Sequence, residues 1–317
     1  MKITDNSLIT RHSRIISLVL GALLMAAAAL PAASQDAPAW SSPLPALADP
    51  SLPPEKTPFI QVIPHFEYGY LAVLFHEYQS GASGTLFNFL TQGGQDTLFP
   101  YQRYSLEVIL AGQHRLTFLY QPLTLTTRTV ADRNNSNGGA PVVIDDASFP
   151  SGTPMDITYG FDFWRVSYLY DFVRDPATIL GVGVSLQVRN ASIVFTSSDG
   201  SKRAVSQNIG PVPILKVRAA HWLSPLFGLD FEADGFYASS AFFNGSGKPF
   251  EGWIWDASLS ARTHFAPGAA AFLTVRSIGG GARGNNAYSY VSSTTSVNSS
   301  TYNALATMAV TLGVSFE

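Results

Sequence analysis

Hydrophobic and polar positions alternate strictly along one stretch in the middle of the chain. The two parities of that stretch are Leu180, Val182, Val184, Leu186, Val188 and Gly181, Gly183, Ser185, Gln187, Arg189. Successive side chains of a β-strand point to opposite faces. The stretch therefore predicts a strand with one aliphatic face, which we expect to contact lipid, and one small or polar face. Such a strand fits a sheet that stands between hydrocarbon and a polar interior.

The same alternation recurs along the chain and predicts about ten strands. The segments cover residues 66–78, 103–111, 116–120, 164–172, 180–189, 215–219, 227–234, 253–262, 273–276 and 307–316. The first segment is ambiguous, because apolar residues occur on both of its parities, together with His76 on one and with Glu67 and Glu77 on the other.

The connections between these segments alternate between long and short. The long ones cover residues 79–100, 127–156, 197–208, 239–249 and 279–300, and the short ones centre on Gly112, Pro176, Pro225 and Pro267. Bacterial outer-membrane barrels have an even number of strands, short periplasmic turns and longer external loops. The prediction is thus an all-β fold, a transmembrane antiparallel up-and-down β-barrel in the cell outer membrane of a Gram-negative bacterium. We expect Gly279, Gly280 and Gly281 to form the flexible tip of an external loop.

Aromatic residues fall near the ends of the segments, where the membrane interfaces would lie. We expect the rings to form interfacial girdles: Tyr104, Tyr120, Trp164, Phe172, Trp222, Trp253, Trp255 and Phe316.

The amino-terminal part of the chain predicts export. Lys2, Arg11 and Arg14 precede the apolar run from Ile15 to Leu30, and small residues follow. This is the pattern of a secretory signal peptide over residues 1–34, with an uncleaved membrane anchor as the alternative. Residues 35–58 are rich in proline and predict an extended periplasmic linker. The barrel would then occupy residues 59–317.

The composition excludes several functional classes. The chain has 317 residues, no cysteine and a formal net charge of −3, so it offers neither thiolate chemistry nor the basic surplus of a nucleic-acid-binding protein. We expect no cofactor. Carboxylates of Asp230, Glu232 and Asp234 follow one strand face at intervals of about 7 Å, which is too wide for them to converge easily on a metal ion.

The last segment resembles the terminal strand of bacterial outer-membrane β-barrel proteins as a class. Its alternating residues Leu312, Val314 and Phe316 are similar to the signal that the barrel assembly machinery recognises. This resemblance covers residues 66–316, and it implies outer-membrane lipid and that machinery as partners. It specifies no extracellular ligand and no functional family.

Charged residues lie on the polar parity and predict a network inside the lumen. They are Arg103, Glu107, Arg115, Arg165, Asp171, Arg189, Lys216, Arg218, Asp230, Glu232, Asp234, Asp256, Arg262 and Arg276. Neighbouring strands carry opposite signs, which favours structural salt bridges that fill a narrow lumen. A charged constriction that selects small ions is the alternative.

Catalytic residues are poorly supported. None of the histidines after the signal peptide shows the Asp-x-His pattern of omptin proteases or the His-x-Ser pattern of lipid A deacylase barrels. His76, next to Glu77, is a weak candidate for a general base, and we interpret it more readily as an interfacial histidine. We therefore predict a non-enzymatic barrel with a structural or adhesive role at the surface. A narrow, porin-like passive channel is the alternative, and an outer-membrane enzyme is the least favoured reading.

Overall fold

The computed structural model describes residues 58–81, 83–240, 250–285 and 300–316. The predicted signal peptide and nearly all of the predicted linker lie outside these residues. Within them, no helix is long and apolar enough to cross a membrane.

The described chain is a series of antiparallel strands. In chain order they are β1 (Ile60–Ser80), β2 (Phe87–Asn88), β3 (Leu98–Leu110), β4 (His114–Gln121), β5 (Thr124–Val130), β6 (Val142–Ile144), β7 (Ala147–Phe149), β8 (Pro154–Arg174), β9 (Thr178–Ser197), β10 (Arg203–Trp222), β11 (Phe227–Ser239), β12 (Phe250–Ala266), β13 (Ala269–Asn285) and β14 (Ser300–Phe316). A short 3₁₀ turn, Arg133–Asn135, lies between β5 and β6.

The strands close into a ten-stranded barrel. β4 and β5 both pair with β8 and act as one wall strand that is interrupted at residues 122–123, while β2, β6 and β7 belong to the connections. Each wall strand pairs with the next, and β14 returns to pair with β1 from His65↔Ser315 to Ser80↔Thr301. The predicted antiparallel up-and-down barrel is confirmed.

Four short connections lie at one end of the barrel, over residues 111–113, 175–177, 223–226 and 267–268. Gly112 and Gly268 adopt φ values of 74° and 68° there, a left-handed conformation that glycine tolerates best. Because outer-membrane barrels carry their tight turns on the periplasmic side, we call this the periplasmic end and the opposite one the extracellular end.

Near the periplasmic end the wall has an apolar exterior. Val182, Val184, Leu186 and Val188 of β9 point outward and are about half exposed, and Leu180 lies partly exposed on the same face. Tyr104, Tyr120 and Trp164 stack side by side across β3, β4 and β8, with centroid distances of 6.3 and 4.3 Å. This exterior matches the lipid-facing band of a protein that spans the outer membrane.

The polarity of the wall reverses partway along its long strands. On the periplasmic part of β8 the outward residues are Trp164, Val166 and Tyr168, and Arg165 and Ser167 point inward. On its extracellular part the outward residues are Asp156, Thr158 and Asp162, and the inward ones are Ile157, Tyr159 and Phe163.

β9 reverses in the same way, with Asn190 and Ser192 outward and Ile193 and Phe195 buried beyond Arg189. On β8 and β9 the extracellular half therefore has the polarity of a water-soluble protein, and the periplasmic half that of a membrane barrel.

A β-bulge in β1 overturns one sequence prediction. The pairing of β1 with β14 shifts between Val73 and Phe75, and one extra residue exchanges the two faces of a strand. His76 consequently points into the barrel and is fully buried, so its interpretation as an interfacial histidine is wrong.

The strands extend into all five predicted external loops, and two of these extensions matter most. Residues 203–208 belong to β10, and Gly279, Gly280 and Gly281 belong to β13. The glycines are not a flexible tip, because the outward rings of Trp253 and Trp255 on β12 lie directly over the positions that side chains at Gly281 and Gly279 would occupy. Trp222 also differs from its prediction, since its ring lines the periplasmic part of the lumen and stacks on His264 at 4.6 Å.

The reversal of polarity can be tested on one strand. Val184→Arg should destabilise the barrel by about 2 to 4 kcal/mol, because Val184 faces the middle of the apolar band, whereas Ser192→Arg should cost about 0 to 1 kcal/mol. The free energy of unfolding of protein refolded into lipid vesicles measures both. Equal costs would contradict the assignment of the two positions to lipid and water.

Candidate functional site

The lumen near the periplasmic end contains seven acids and seven bases, which we call the charge layer. Its members are Glu67, Glu107, Asp171, Asp230, Glu232, Asp234, Asp256, Arg103, Arg115, Arg165, Lys216, Arg218, Arg262 and Arg276. Thirteen of them were predicted from strand parity, and the structure brings these thirteen together. Because the two signs are equal in number, the layer is formally neutral.

Asp256 on β12 is the centre of the layer. Its carboxylate accepts hydrogen bonds from Arg103 at 3.1 Å, Arg165 at 2.9 Å and Arg276 at 2.9 Å. These arginines come from β3, β8 and β13, and β8 lies four strands away from β12 around the wall. The Arg165 side chain is therefore a tie across the lumen, and it also lies 3.1 Å from Asp234 on β11.

A second group of ion pairs follows the register of β10 and β11. Lys216 is opposite Asp234, and Arg218 is opposite Glu232. Lys216 donates to Glu232 at 2.8 Å and to Asp234 at 3.0 Å, and Arg218 donates to Asp230 at 2.5 Å. The prediction that these neighbouring strands pair opposite charges agrees with this geometry.

The third group lies closer to the periplasmic end. Glu107 pairs with Arg115, which donates to Asp171 at 3.1 Å, and Arg218 lies 3.7 Å from Glu107. Arg262 donates to Ser315 at 2.8 Å. The three groups share members, so the ion pairs form one continuous network.

Glu67 is the member that sequence reasoning missed. It lies 3.0 Å from Arg276 and 3.8 Å from Arg103. The ambiguous parity of β1 concealed it, because the bulge after Val73 mixes the two faces within one segment. A signal was nevertheless present, since Glu67 is an acid on a strand whose own aromatic residues Phe66, Tyr68 and Tyr70 occupy the opposite parity.

Arg189 was predicted to belong to the network but lies apart from it. Its guanidinium is 5.7 Å from the centre of the Phe161 ring, and among the described residues it makes no ion pair. It occupies the extracellular side of the layer, where Arg189 pairs with Phe163 across β8 and β9.

Above the charge layer, buried apolar side chains fill part of the lumen, and we call them the apolar plug. Phe87 and Phe89 extend inward from the connection 81–97 and pack on Phe195 of β9, with centroid distances of 5.0 and 5.7 Å. The connection 131–153 adds a second set of fully buried side chains from its β6–β7 hairpin: Val142, Ile144 and Phe149.

The two plug-forming connections are tied to each other by hydrogen bonds. The Thr85 amide donates to the Val143 carbonyl at 2.8 Å, and the Val143 amide donates to the Thr85 hydroxyl at 2.9 Å. The Ser80 hydroxyl at the end of β1 donates to Asp145. Asp132 accepts from the amides of Asn137 and Gly139, which holds the pKa of this carboxyl below its ordinary value. The plug is thus an ordered part of the fold.

His76 is part of this plug. Its ring stacks on Phe89 at a centroid distance of 3.8 Å, and its Nδ1 donates to Gln95 at 2.7 Å. A side chain enclosed in this way has no contact with solvent, so its position does not support the role of a general base.

Cavities remain between the described residues of the barrel. A periplasmic cavity of about 200 Å³ shares lining residues such as Glu107 and Asp230 with a space of about 80 Å³ within the charge layer. A larger cavity of about 470 Å³ lies at the extracellular end beside the plug and shares no lining residue with the charge layer. We call it the outer cavity.

The described residues do not assemble a metal site, since no group of three potential ligands is found among them. Asp230, Glu232 and Asp234 instead accept hydrogen bonds from Lys216 and Arg218. The three residues of the proposed assembly signal, Leu312, Val314 and Phe316, lie on the outward face of β14 at the periplasmic end.

Comparisons with known proteins give a fold likeness only. No family model matches the sequence, and no curated protein matches it. Among solved structures, the outer membrane protease OmpT from Escherichia coli is 9% identical, with 80% of this chain and 96% of that chain covered and a TM-score of 0.48. A Pseudomonas aeruginosa FadL homologue is 9% identical, with 81% and 90% covered and a TM-score of 0.32. The P. putida toluene transporter TodX is 8% identical, with 80% and 90% covered and a TM-score of 0.30. Likenesses this low carry no argument about function.

The central position of Asp256 predicts a large effect of its removal. Asp256→Ala leaves three buried guanidinium groups without their shared carboxylate, and loss of one partner from a buried ion pair costs about 3 to 5 kcal/mol. The matched change Asp156→Ala removes the partner of the exposed Arg128 and should cost at most about 1 kcal/mol. Urea unfolding in vesicles measures both, and similar losses would argue against a central role for Asp256.

Proposed function

We propose that this protein is a non-conducting outer-membrane barrel with a structural or adhesive role at the cell surface. The observation that carries the proposal is the tie across the lumen between Arg165 and Asp256. A water-filled pore would require these charges to separate, and each of them is buried and paired with more than one partner.

The apolar plug supports the same proposal independently. It lies in series with the charge layer, so a solute would have to pass both. Ions are excluded from apolar constrictions because they lose their hydration there. The distinct linings of the outer cavity and of the charge-layer space agree with a lumen that is closed between them.

The extracellular half suits a surface role. On β8 and β9 its wall is polar outside, and its interior is packed with apolar side chains, which supports a rigid platform that extends beyond the lipid. Loops that are held by such a platform are the usual location of recognition surfaces. The buried position of His76 lends no support to an enzymatic alternative.

Electrical recording in planar bilayers tests the proposal. The unaltered protein should give no unitary current steps. Removing residues 84–94 and 142–149, which carry both sets of plug side chains, and introducing Arg165→Ser should together open the lumen and give cation-selective steps, because seven acids would then face six bases in the layer. The deletions alone, or the substitution alone, should leave the barrel closed.

The control combines the same deletions with Arg128→Ser, which removes an exposed arginine on the outer surface. Faster migration of unboiled protein on a detergent gel confirms that each variant is folded. Unitary steps from the unaltered protein would refute the proposal. A folded combined variant that stays silent would show that the charge layer and the plug are not the barriers.

A further inference from the structure

The outer cavity combines an apolar lining with one unbalanced charge. Aromatic and aliphatic side chains from several strands line it: Tyr78, Tyr159, Phe161, Ile193, Phe236, Ile254, Ile278 and Leu305. Arg189 and Arg283 are the two arginines among the described residues that line it. Arg283 pairs with Glu251, whereas the Nε of Arg189 has no hydrogen-bond partner among the described residues. The Arg189 guanidinium lies over the ring of Phe161, 5.7 Å from its centre.

Among the described residues, no carboxylate is a hydrogen-bond partner of the Arg189 Nε. The undescribed segments 241–249 and 286–299, which connect β11 to β12 and β13 to β14, contain no aspartate and no glutamate. The carboxylates of the charge layer are already matched by seven other bases. Glu251, which borders the cavity, pairs with Arg283 at 2.7 Å. Arg189 therefore presents an unmatched positive charge to the outer cavity.

Among the described residues, the strand pairing beside this cavity is incomplete. β9 and β10 pair along nineteen residue pairs, but β10 and β11 pair along only eight, from Trp222↔Gly228 to Leu215↔Gly235. Beyond Leu215 the two strands separate, and Val212, Pro213 and Phe236 at their edges line the cavity. We call this opening the β10–β11 gap.

Proline explains where the pairing stops. Pro211 and Pro213 lack the amide N–H of a ladder, and being two residues apart they affect the same edge of β10. The register with β9 continues through both prolines, so the edge toward β11 is the one that they interrupt.

The height of the gap can be estimated from the strand geometry. Eight residues span about 26 Å along a strand, or about 20 Å of membrane depth at a tilt of about 40°, against an apolar band about 25 Å tall. The gap therefore begins close to the outer boundary of the apolar band. Exposed apolar side chains flank it outside, including Ile209 and Leu215.

We propose that the outer cavity binds a single-chain amphiphile with an anionic head group. The head group contacts Arg189, and the chain lies along the apolar lining toward the β10–β11 gap. An anion supplies the negative partner that the Arg189 guanidinium lacks, and a guanidinium forms strong paired hydrogen bonds with a carboxylate or phosphate. The volume of about 470 Å³ lies in the range of small-molecule pockets, so it accommodates one chain of medium length and not the two chains of a phospholipid. Binding does not depend on whether the lumen conducts.

Equilibrium binding of radiolabelled dodecanoate to the protein in zwitterionic lipid nanodiscs tests this site. The unaltered protein should bind one dodecanoate saturably. Arg189→Gln should weaken binding by about tenfold or more, since a hydrogen bond to a charged group is lost, and Arg189→Lys should retain most of the affinity. Arg128→Gln makes the same change of charge on the outer surface and should have no effect.

Three further comparisons separate this site from nonspecific uptake. Dodecanol should bind equally to the unaltered protein and to Arg189→Gln. Phosphatidate, which has two chains, should not displace dodecanoate. Val212→Trp narrows the gap from inside, so it should weaken the binding of dodecanoate more than the binding of octanoate. Absence of saturable binding, equal dodecanoate binding by a folded Arg189→Gln, displacement by phosphatidate, or equal effects of Val212→Trp on both chain lengths would each overturn the proposal.

Discussion

Closure of the hydrogen-bonded wall is the constraint on which the rest of the structure depends. Hydrocarbon offers no partner for backbone amides and carbonyls, so strands can cross it only as a cylinder without free edges. The pairing of β14 with β1 meets this requirement. A closed cylinder of ten strands then encloses a narrow space that side chains must fill, and the inward residues of the membrane-spanning part are largely polar. The neutral charge layer is the result, because buried charges are tolerated only with partners.

The same wall changes its role where it leaves the lipid. Outside the apolar band the exterior faces water, so the strands carry Asp156 and Thr158 outward and Tyr159 and Ile157 inward. Apolar side chains that point into the barrel need something to pack against, and the connections 81–97 and 131–153 provide it through Phe87, Phe89 and the β6–β7 hairpin. The plug therefore follows from the length of the strands, since shorter strands would have no apolar interior to cover.

Sequence parity predicted the barrel and most of the charge layer, because side chains in the membrane-spanning part meet two different solvents and alternate accordingly. Its failures have local causes. One bulge in β1 exchanged the faces around His76 and concealed Glu67. The glycines at 279–281 looked like a loop because the residues that cover them, Trp253 and Trp255, lie on another strand. The inverted polarity of the extracellular half was not predicted, since the same pattern occurs in any soluble sheet. The packing of two distant connections against each other was not predicted either, because it depends on contacts that no local pattern contains.

Arg189 and the charge layer illustrate how one barrel holds two electrostatic environments. Seven acids balance seven bases within the layer, and Phe163 and Phe161 separate Arg189 from it along β8. An unpaired buried cation is costly, but Arg189 borders a cavity and contacts an aromatic face, and both lessen that cost. With the lumen closed below by the layer and the plug, as we propose, the outer cavity is a blind pocket. Any molecule it holds must enter and leave through the extracellular end or the β10–β11 gap, which makes binding there separable from transport.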